Sequence, residues 1–213
     1  LYKIKNLFVM KKINYYLLST VLMISLSSLA LNFTFNSFNK TSYLANDEVV
    51  LVNAEKSLVK WKGEKVTGFH EGVINIKAAN LTFDNDELTG GEVIIDMSTI
   101  NCTDLSGPYK NKLEEHLNSD DFFNVSDYPL STLKITKCTK VNNNKYNIVA
   151  NLTIKDVTES IEFETELVNN VATAEINIDR TKFDIKYSSG SFFKNLGDKM
   201  IYDDFSISVN INY

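Results

Sequence analysis

From about residue 48 onward the chain alternates apolar and polar residues with a period of two. That pattern confines it to pleated strands with one dry and one wet face. Ile148, Ala150, Leu152 and Ile154 alternate with Val149, Asn151, Thr153 and Lys155, and Ile161, Phe163, Thr165 and Leu167 with Glu162, Glu164 and Glu166. Ala172, Ala174, Ile176 and Ile178 alternate with Thr173, Glu175, Asn177 and Asp179, and Phe205, Ile207, Val209 and Ile211 with Ser206, Ser208 and Asn210. Shorter stretches run around Val59 and Trp61, over 73–76, over 93–98 with Val93, Ile95 and Met97 on one face, and around Leu133 and Ile135. The acidic row Glu162, Glu164 and Glu166 reads as a solvated outer face.

Some eight strands of this length, separated by turn signals such as Asp84-Asn85, Asn142-Asn143-Asn144 and Asn169-Asn170, suit a sandwich or a closed barrel. Two long connections break the alternation. Residues 108–129 carry Leu113 and Leu117 at i and i+4, one side of a short helix, followed by Phe122-Phe123. Residues 188–204 carry Phe192-Phe193 in a loop bracketed by Gly190 and Gly197. Exposed paired aromatics are costly, so each pair is expected to fold onto something apolar, and a barrel mouth supplies it. The expected fold is therefore all-β: a closed antiparallel barrel of about eight strands with a short helix and long loops at the mouth. Such a barrel is just wide enough inside for one small or elongated ligand.

Charge removes one class of function. The net charge is -5 and Arg180 is the only arginine, which leaves no basic face for a phosphate backbone, so no nucleic-acid partner is expected. Catalytic signatures are missing too: there is no nucleophile elbow, phosphate-cradling glycine loop, Cys-x-x-Cys or His-Glu-x-x-His. A dispersed site of His70, His116, Asp104 and Asp121 is the enzymatic alternative, and a structural surface module with a filled barrel is the other. With two histidines and no third ligand at a characteristic spacing, no metal is expected.

Met10-Lys11-Lys12, the mostly apolar run 13–31 and the small residues of Ser28-Leu29-Ala30 have the form of a secretory signal, with Met10 as its start. Asn14, Tyr15 and Tyr16 weaken the alternative of a retained anchor. Residues 1–47 are thus read as upstream residues, signal and polar leader, and residues 48–213 as the domain. Cleavage would leave a periplasmic or secreted protein not inserted in the membrane; dimerisation is left open. Cys102 and Cys138 fall beyond opposite ends of two strands expected to pair antiparallel, too far apart for a disulfide, so two free thiols are expected.

An ordered series of motifs resembles the YceI-like family of lipid- or polyisoprenoid-binding proteins. It begins with Trp61-Lys62-Gly63, Gly68-Phe69-His70-Glu71-Gly72 and Ile95-Asp96-Met97-Ser98-Thr99-Ile100 with Asp104. It continues through Leu113 to Leu117, Asp121-Phe122-Phe123-Asn124-Val125, Tyr128-Pro129 and Asn151-Leu152-Thr153-Ile154-Lys155. It closes with Ile178-Asp179-Arg180-Thr181-Lys182-Phe183, Phe192-Phe193 and Leu196-Gly197-Asp198-Lys199. Asn124 stands where an Asp is usual, and Asp156 where a Gly often follows Thr-Ile-Lys. The resemblance implies a lipocalin-like eight-stranded antiparallel β-barrel, usually periplasmic, with a long isoprenoid or quinone-like chain threaded through it. No other cofactor is implied.

The residues expected to touch such a lipid are Trp61, Ile95, Met97, Ile135, Leu152, Phe163, Ile176, Phe205 and Ile207 from strand faces. Phe122, Phe123, Phe183, Phe192 and Phe193 join them from the long connections. His70, His116 and Arg180 are candidates for a polar head group at the mouth. Each of these three has a plainer reading: His70 as a hairpin residue bonding nearby backbone, His116 as a solvent-facing or half-buried helix residue, and Arg180 as the partner of Asp179 or Asp184 in a local ion pair. Trp61 serves core and ligand wall alike.

Overall fold

The computed structural model describes residues 47–213. The expected signal segment, and all of the leader but Asp47, lie outside the described residues. The strands are β1 (Glu48–Leu51), β2 (Leu58–Lys65), β3 (Gly68–Asp84), β4 (Glu87–Cys102), β5 (Leu130–Lys140), β6 (Lys145–Ile154), β7 (Val157–Val168), β8 (Val171–Asp179) and β9 (Ile201–Asn212). Among the described residues one α-helix, α1 (Gly107–Asn118), connects β4 to β5.

These strands pair antiparallel in the order β1-β3-β2-β9-β8-β7-β6-β5-β4, and pairing of β3 with β4 closes the circuit; a single parallel bridge joins Ser189 to Ile201. The closed circuit has eight positions. Strands β1 and β2 share one of them, because β1 pairs with the second half of β3 (Leu51↔Asn80) and β2 with the first (Val59↔Ile74). The link between β1 and β2 is tied to the end of β9, where the Asn53 amide donates to the Asn212 carbonyl at 2.8 Å and the Asn212 amide to Ser57 Oγ at 2.9 Å.

Turn chemistry explains why the hairpins form where they do. Asn85 and Asp86 (φ 49° and 63°) and Asn169 and Asn170 (φ 53° and 62°) supply the two successive left-handed residues that a tight hairpin needs, a conformation Asn and Asp tolerate best. Asn142 Oδ1 accepts from the amides of Asn144 and Lys145 at 3.0 and 3.1 Å, folding the β5–β6 turn. These three turns mark the far end of the barrel. The other end, its mouth, holds α1, the hairpin between β2 and β3, and the long β8–β9 connection.

The family-like motifs are mostly staples at irregular points of the wall. The β3–β4 register shifts between Val73 and Asn75, where β4 carries extra residues. There Asp96 Oδ1 accepts from the Ser98 amide (3.1 Å) and hydroxyl (2.5 Å), and Thr99 Oγ1 accepts from the Asn75 amide (2.9 Å) while donating to the Asp96 carbonyl (2.7 Å). The bulge lets both Met97 and Ile100 face inward. A side chain at Gly72 has no room: a Cβ there would sit 2.0 Å from the Asn101 carbonyl and 2.6 Å from the Trp61 ring. Asp179 Oδ1 accepts from the Thr181 amide and hydroxyl (2.9 and 2.6 Å), capping a 3-10 turn over Arg180–Phe183. The left-handed residue of the β6–β7 turn is Lys155 (φ 58°) rather than Asp156, and Asn124 also adopts the left-handed conformation (φ 43°).

Both cysteines are free. Cys102 ends β4 at the mouth, and Cys138 lies near the far end of β5, since β4 and β5 pair with Asp96 opposite Leu130.

Candidate functional site

The inward faces of the eight positions do not meet. They enclose a cavity of about 240 Å³ that runs from Leu81, Leu88, Ala172 and Ile211 near the far end to Ile185, Ile201 and Tyr202 at the mouth. A water's share of volume is roughly 30 Å³, so there is room for on the order of eight water- or methylene-sized groups.

The wall is dry because its few polar atoms are occupied elsewhere. Ser131 Oγ donates to the Thr153 carbonyl at 2.7 Å, and Thr165 Oγ1 to the Thr173 carbonyl at 2.9 Å. Arg180 borders the mouth end, yet its guanidinium is spent: Nε donates to the Tyr202 carbonyl (3.1 Å), one Nη to Ile185 (2.8 Å) and the other to Ile201 (3.1 Å). Its ionic partner is Asp203, at 3.5 Å, and not the Asp179 or Asp184 expected from adjacency. Burial pushes the guanidinium's pKa down from its ordinary value, and Asp203 and Asp179 oppose that shift. Burial also disfavours the Asp203 charge, but hydrogen bonds from Ser189 and Ser191 together with Arg180 outweigh it and keep the carboxyl below its usual range. Arg180 therefore ties β9 and the β8–β9 connection to the 3-10 turn, with its donors turned to backbone.

Trp61, the only tryptophan, lies on the cavity wall with Nε1 donating to the Val73 carbonyl at 3.3 Å. Two residues on, Gly63 also lines the cavity, and a Cβ there would meet nothing within 4 Å. Its missing side chain leaves the mouth end of the cavity open beside Tyr202 and Asp204.

Of the expected ligand contacts, the structure brings Trp61, Ile95, Met97, Phe122, Phe123, Ile135, Leu152, Phe163, Ile176, Arg180, Phe205 and Ile207 together around this one cavity. Five others stand off it. His70 Nδ1 is 2.8 Å from Asp104 Oδ2, so its ring is bound to a carboxylate at the rim rather than to backbone or to the interior. His116 is bound to Asp121 at 3.3 Å and packs edge-on against Phe122 and Tyr187, with centroids at 4.9 and 4.5 Å. The four side chains suggested as a dispersed polar site thus form two pairs, neither on the cavity wall. Phe183 is fully buried in the apolar cluster beneath the mouth with Ile185 and Ile178.

The two phenylalanine pairs behave differently. Phe122 and Phe123 fold onto the barrel as expected, with Leu117 of α1 beside them on the cavity wall. Phe192 and Phe193 do not: they are 51% and 50% exposed. Their amides both bond to the carbonyl of the fully buried Ser189, a tight turn that holds the pair at the tip of the loop, clear of the cavity.

Asp104 is the best-held carboxylate of the mouth. It accepts from the Glu71 amide (2.9 Å) and Cys102 Sγ (3.1 Å) and binds His70. Burial alone would raise its pKa, but these three bonds prevail and hold it to about 2. Burial pushes the Cys102 thiol up from its ordinary value, with Asp104 adding to the shift, and burial raises Cys138 to about 11.

Sequence reasoning missed Leu81, Leu88, Ile100, Ile185 and Gly63 as cavity residues. Leu81 and Phe83 face inward on odd positions although Ile74 and Ile76 do so on even ones, because the β3–β4 register shifts again between Ile76 and Ala78. An open place left by a glycine carries no sequence signal at all.

Comparison with known proteins gives a consistent result. BcnA of Burkholderia cenocepacia shares the fold at a TM-score of 0.60 and 20% identity, over 75% of this chain and 98% of that one. A polyisoprenoid binding domain from Saccharophagus degradans, implicated in plant cell wall breakdown, does so at 0.52 and 10% identity, over 76% and 95%. A UPF0312 protein of Vibrio parahaemolyticus is 28% identical over 100 residues, 47% of this chain; the match spans about half of that relative's length. The model of the YceI-like domain matches residues 51–213, essentially the whole barrel, and the chain belongs to the YceI-like family.

Proposed function

We propose that the protein binds one long apolar lipid, a polyisoprenoid or a quinone-like molecule, inside the barrel and carries it as a soluble complex outside the cytoplasm. The observation that supports this is the dry cavity spanning the barrel from Leu81 to Tyr202. Burying a methylene is worth roughly 0.8 kcal/mol, so about eight such groups inside the barrel offer about 6 kcal/mol, comparable with the cost of association of about 4–15 kcal/mol, and the rest of a longer chain at the mouth adds to it. A ligand of that kind needs no charged anchor, which agrees with a guanidinium already committed to carbonyls.

Kinship of fold with a polyisoprenoid binding domain supports the same class of ligand. Among the described residues no helix is long and apolar enough to cross a membrane. The proposal is of a binding protein rather than an enzyme: the ionisable residues on the cavity wall are Arg180, Tyr202 and Asp204, all at one end. A storage or stress-related role, with periplasmic or secreted location, is part of the proposal and follows from the signal-like segment and the family resemblance.

The test is organic extraction of protein purified without detergent, followed by mass spectrometry. Wild-type protein is expected to yield a lipid in near-stoichiometric amount, and Ile176→Arg, which sets a charge in mid-wall, to yield none. Equal lipid from a folded Ile176→Arg protein would refute the interior site.

A further inference from the structure

The mouth carries a feature that cavity binding does not use. Val66, Phe69, Tyr187, Phe192, Phe193 and Tyr202 are each 40–51% exposed. They belong to the β2–β3 hairpin, the β8–β9 connection and the start of β9. These segments are joined directly: Lys65 pairs with Ile201, the Val66 amide donates to the Met200 carbonyl at 3.3 Å, and the Ile201 amide donates to Ser188 at 3.0 Å. Hence these side chains lie together on one side of the mouth, the end at which Tyr202 also lines the cavity, with Tyr187 also packed against His116 and Phe122.

The charge of the same segments is opposite to that of the chain. Over 62–69 and 180–204 stand Lys62, Lys65, Arg180, Lys182, Lys186, Lys194 and Lys199 against Glu64, Asp184, Asp198, Asp203 and Asp204, in a protein whose net charge is -5. Two of the lysines sit over the exposed rings, Lys62 Nζ at 4.7 Å from the Phe69 centroid and Lys186 Nζ at 5.1 Å from that of Phe192. Lys62 and Lys186 are paired with Glu64 and Asp184, and Asp203 is held by Arg180 and Ser191, which leaves Lys65, Lys194 and Lys199 without an ion-pair partner among the described residues.

We propose that this mouth docks reversibly onto an anionic phospholipid surface. Aromatic side chains settle at the water–lipid interface, where one part is apolar and the other wet, and lysines near an anionic leaflet add attraction that salt screens. Phe192 and Phe193, at the loop tip, enter the interface; Lys194 and Lys199 meet the headgroups. Docking in this orientation presents the open end of the cavity to the bilayer. Only that consequence rests on the lipid-carrier reading; the docking itself rests on the patch.

The test is co-sedimentation of the barrel protein with vesicles of phosphatidylglycerol and phosphatidylcholine in equal parts, and with phosphatidylcholine alone. Binding to the anionic vesicles, at least tenfold weaker to the neutral ones and weakened by added salt, is expected. F192S/F193S and, separately, K194E/K199E are expected to lose at least tenfold in binding to anionic vesicles with thermal unfolding unchanged. The second pair keeps the test valid if the first does not fold. Absence of vesicle binding in the wild type, or equal binding by the variants, overturns the proposal. So does a wild-type dimer in sedimentation that F192S/F193S dissolves, which would make the patch a contact between two copies. Extractable lipid is measured on the same samples, so loss of docking with lipid retained in the variants separates this proposal from the cavity reading.

Discussion

Replacing Gly63 by leucine separates ligand binding from folding, because the two effects have opposite signs. Gly63 lines the cavity, its backbone lies outside the left-handed region, and a Cβ there meets open space. A leucine therefore enters the cavity without strain and takes the place of about four methylene-sized groups of ligand, at roughly 0.8 kcal/mol each. Affinity should fall by about 3 kcal/mol, on the order of a hundredfold. Stability should rise by about 1 kcal/mol, since a glycine within a strand is replaced by a residue that restricts the unfolded chain and adds apolar contact. Trp61, two residues away on the same wall and the only tryptophan, reports occupancy. Titrating lipid-free protein with a C20 isoprenoid alcohol while following its fluorescence gives the affinity, and urea unfolding gives the stability. A Gly63→Leu protein that is folded, at least as stable, and binds with wild-type affinity would refute the reasoning.

Three further outcomes follow from the same geometry. Asp104, depressed in the fold from an ordinary 3.8 to about 2, stabilises the protein above roughly pH 4, and that contribution is lost as pH falls through about 2. Asp104→Asn should cost on the order of 1–2 kcal/mol at pH 7, allowing for solvent screening, and nothing below about pH 2, by urea midpoints across that range; a pH-independent difference would contradict it. Cys138, raised from 9.0 to about 11, should react with iodoacetamide roughly a hundredfold more slowly than a free thiol, and the fully buried Cys102 more slowly still, with two thiols titrating after denaturation. Gly72→Ala should destabilise by about 3 kcal/mol or more and shift Trp61 emission, because the new methyl overlaps the Asn101 carbonyl and the indole.

Much of the barrel was legible because period-two alternation survives wherever a strand runs straight. In β6 and β8 the buried residues are the even-numbered ones, from Tyr146 to Ile154 and from Ala172 to Ile178. It failed on β3 and β4, where the readable windows of four and six residues belong to strands of 17 and 16 residues. Their bulges switch the inward parity, so the alternation cancels across the full length. The cavity-lining set was legible for the same reason as the strands, since the wall of a closed barrel is its inward face. His70, His116 and Phe183 were drawn in because polar or aromatic residues near a mouth look alike in sequence, whether they contact a ligand or hold the rim together. Phe192 and Phe193 were misplaced by the premise that paired aromatics must be covered. The turn anchored on Ser189 leaves them in solvent.

The central claim is that the cavity holds a lipid, and a crystal structure of the protein purified without detergent tests it most directly. Continuous, elongated density lying between Ile95, Ile176 and Ile207 and reaching toward Tyr202 is predicted. Ordered water in that space, or walls closed onto one another with no room between them, would contradict the account.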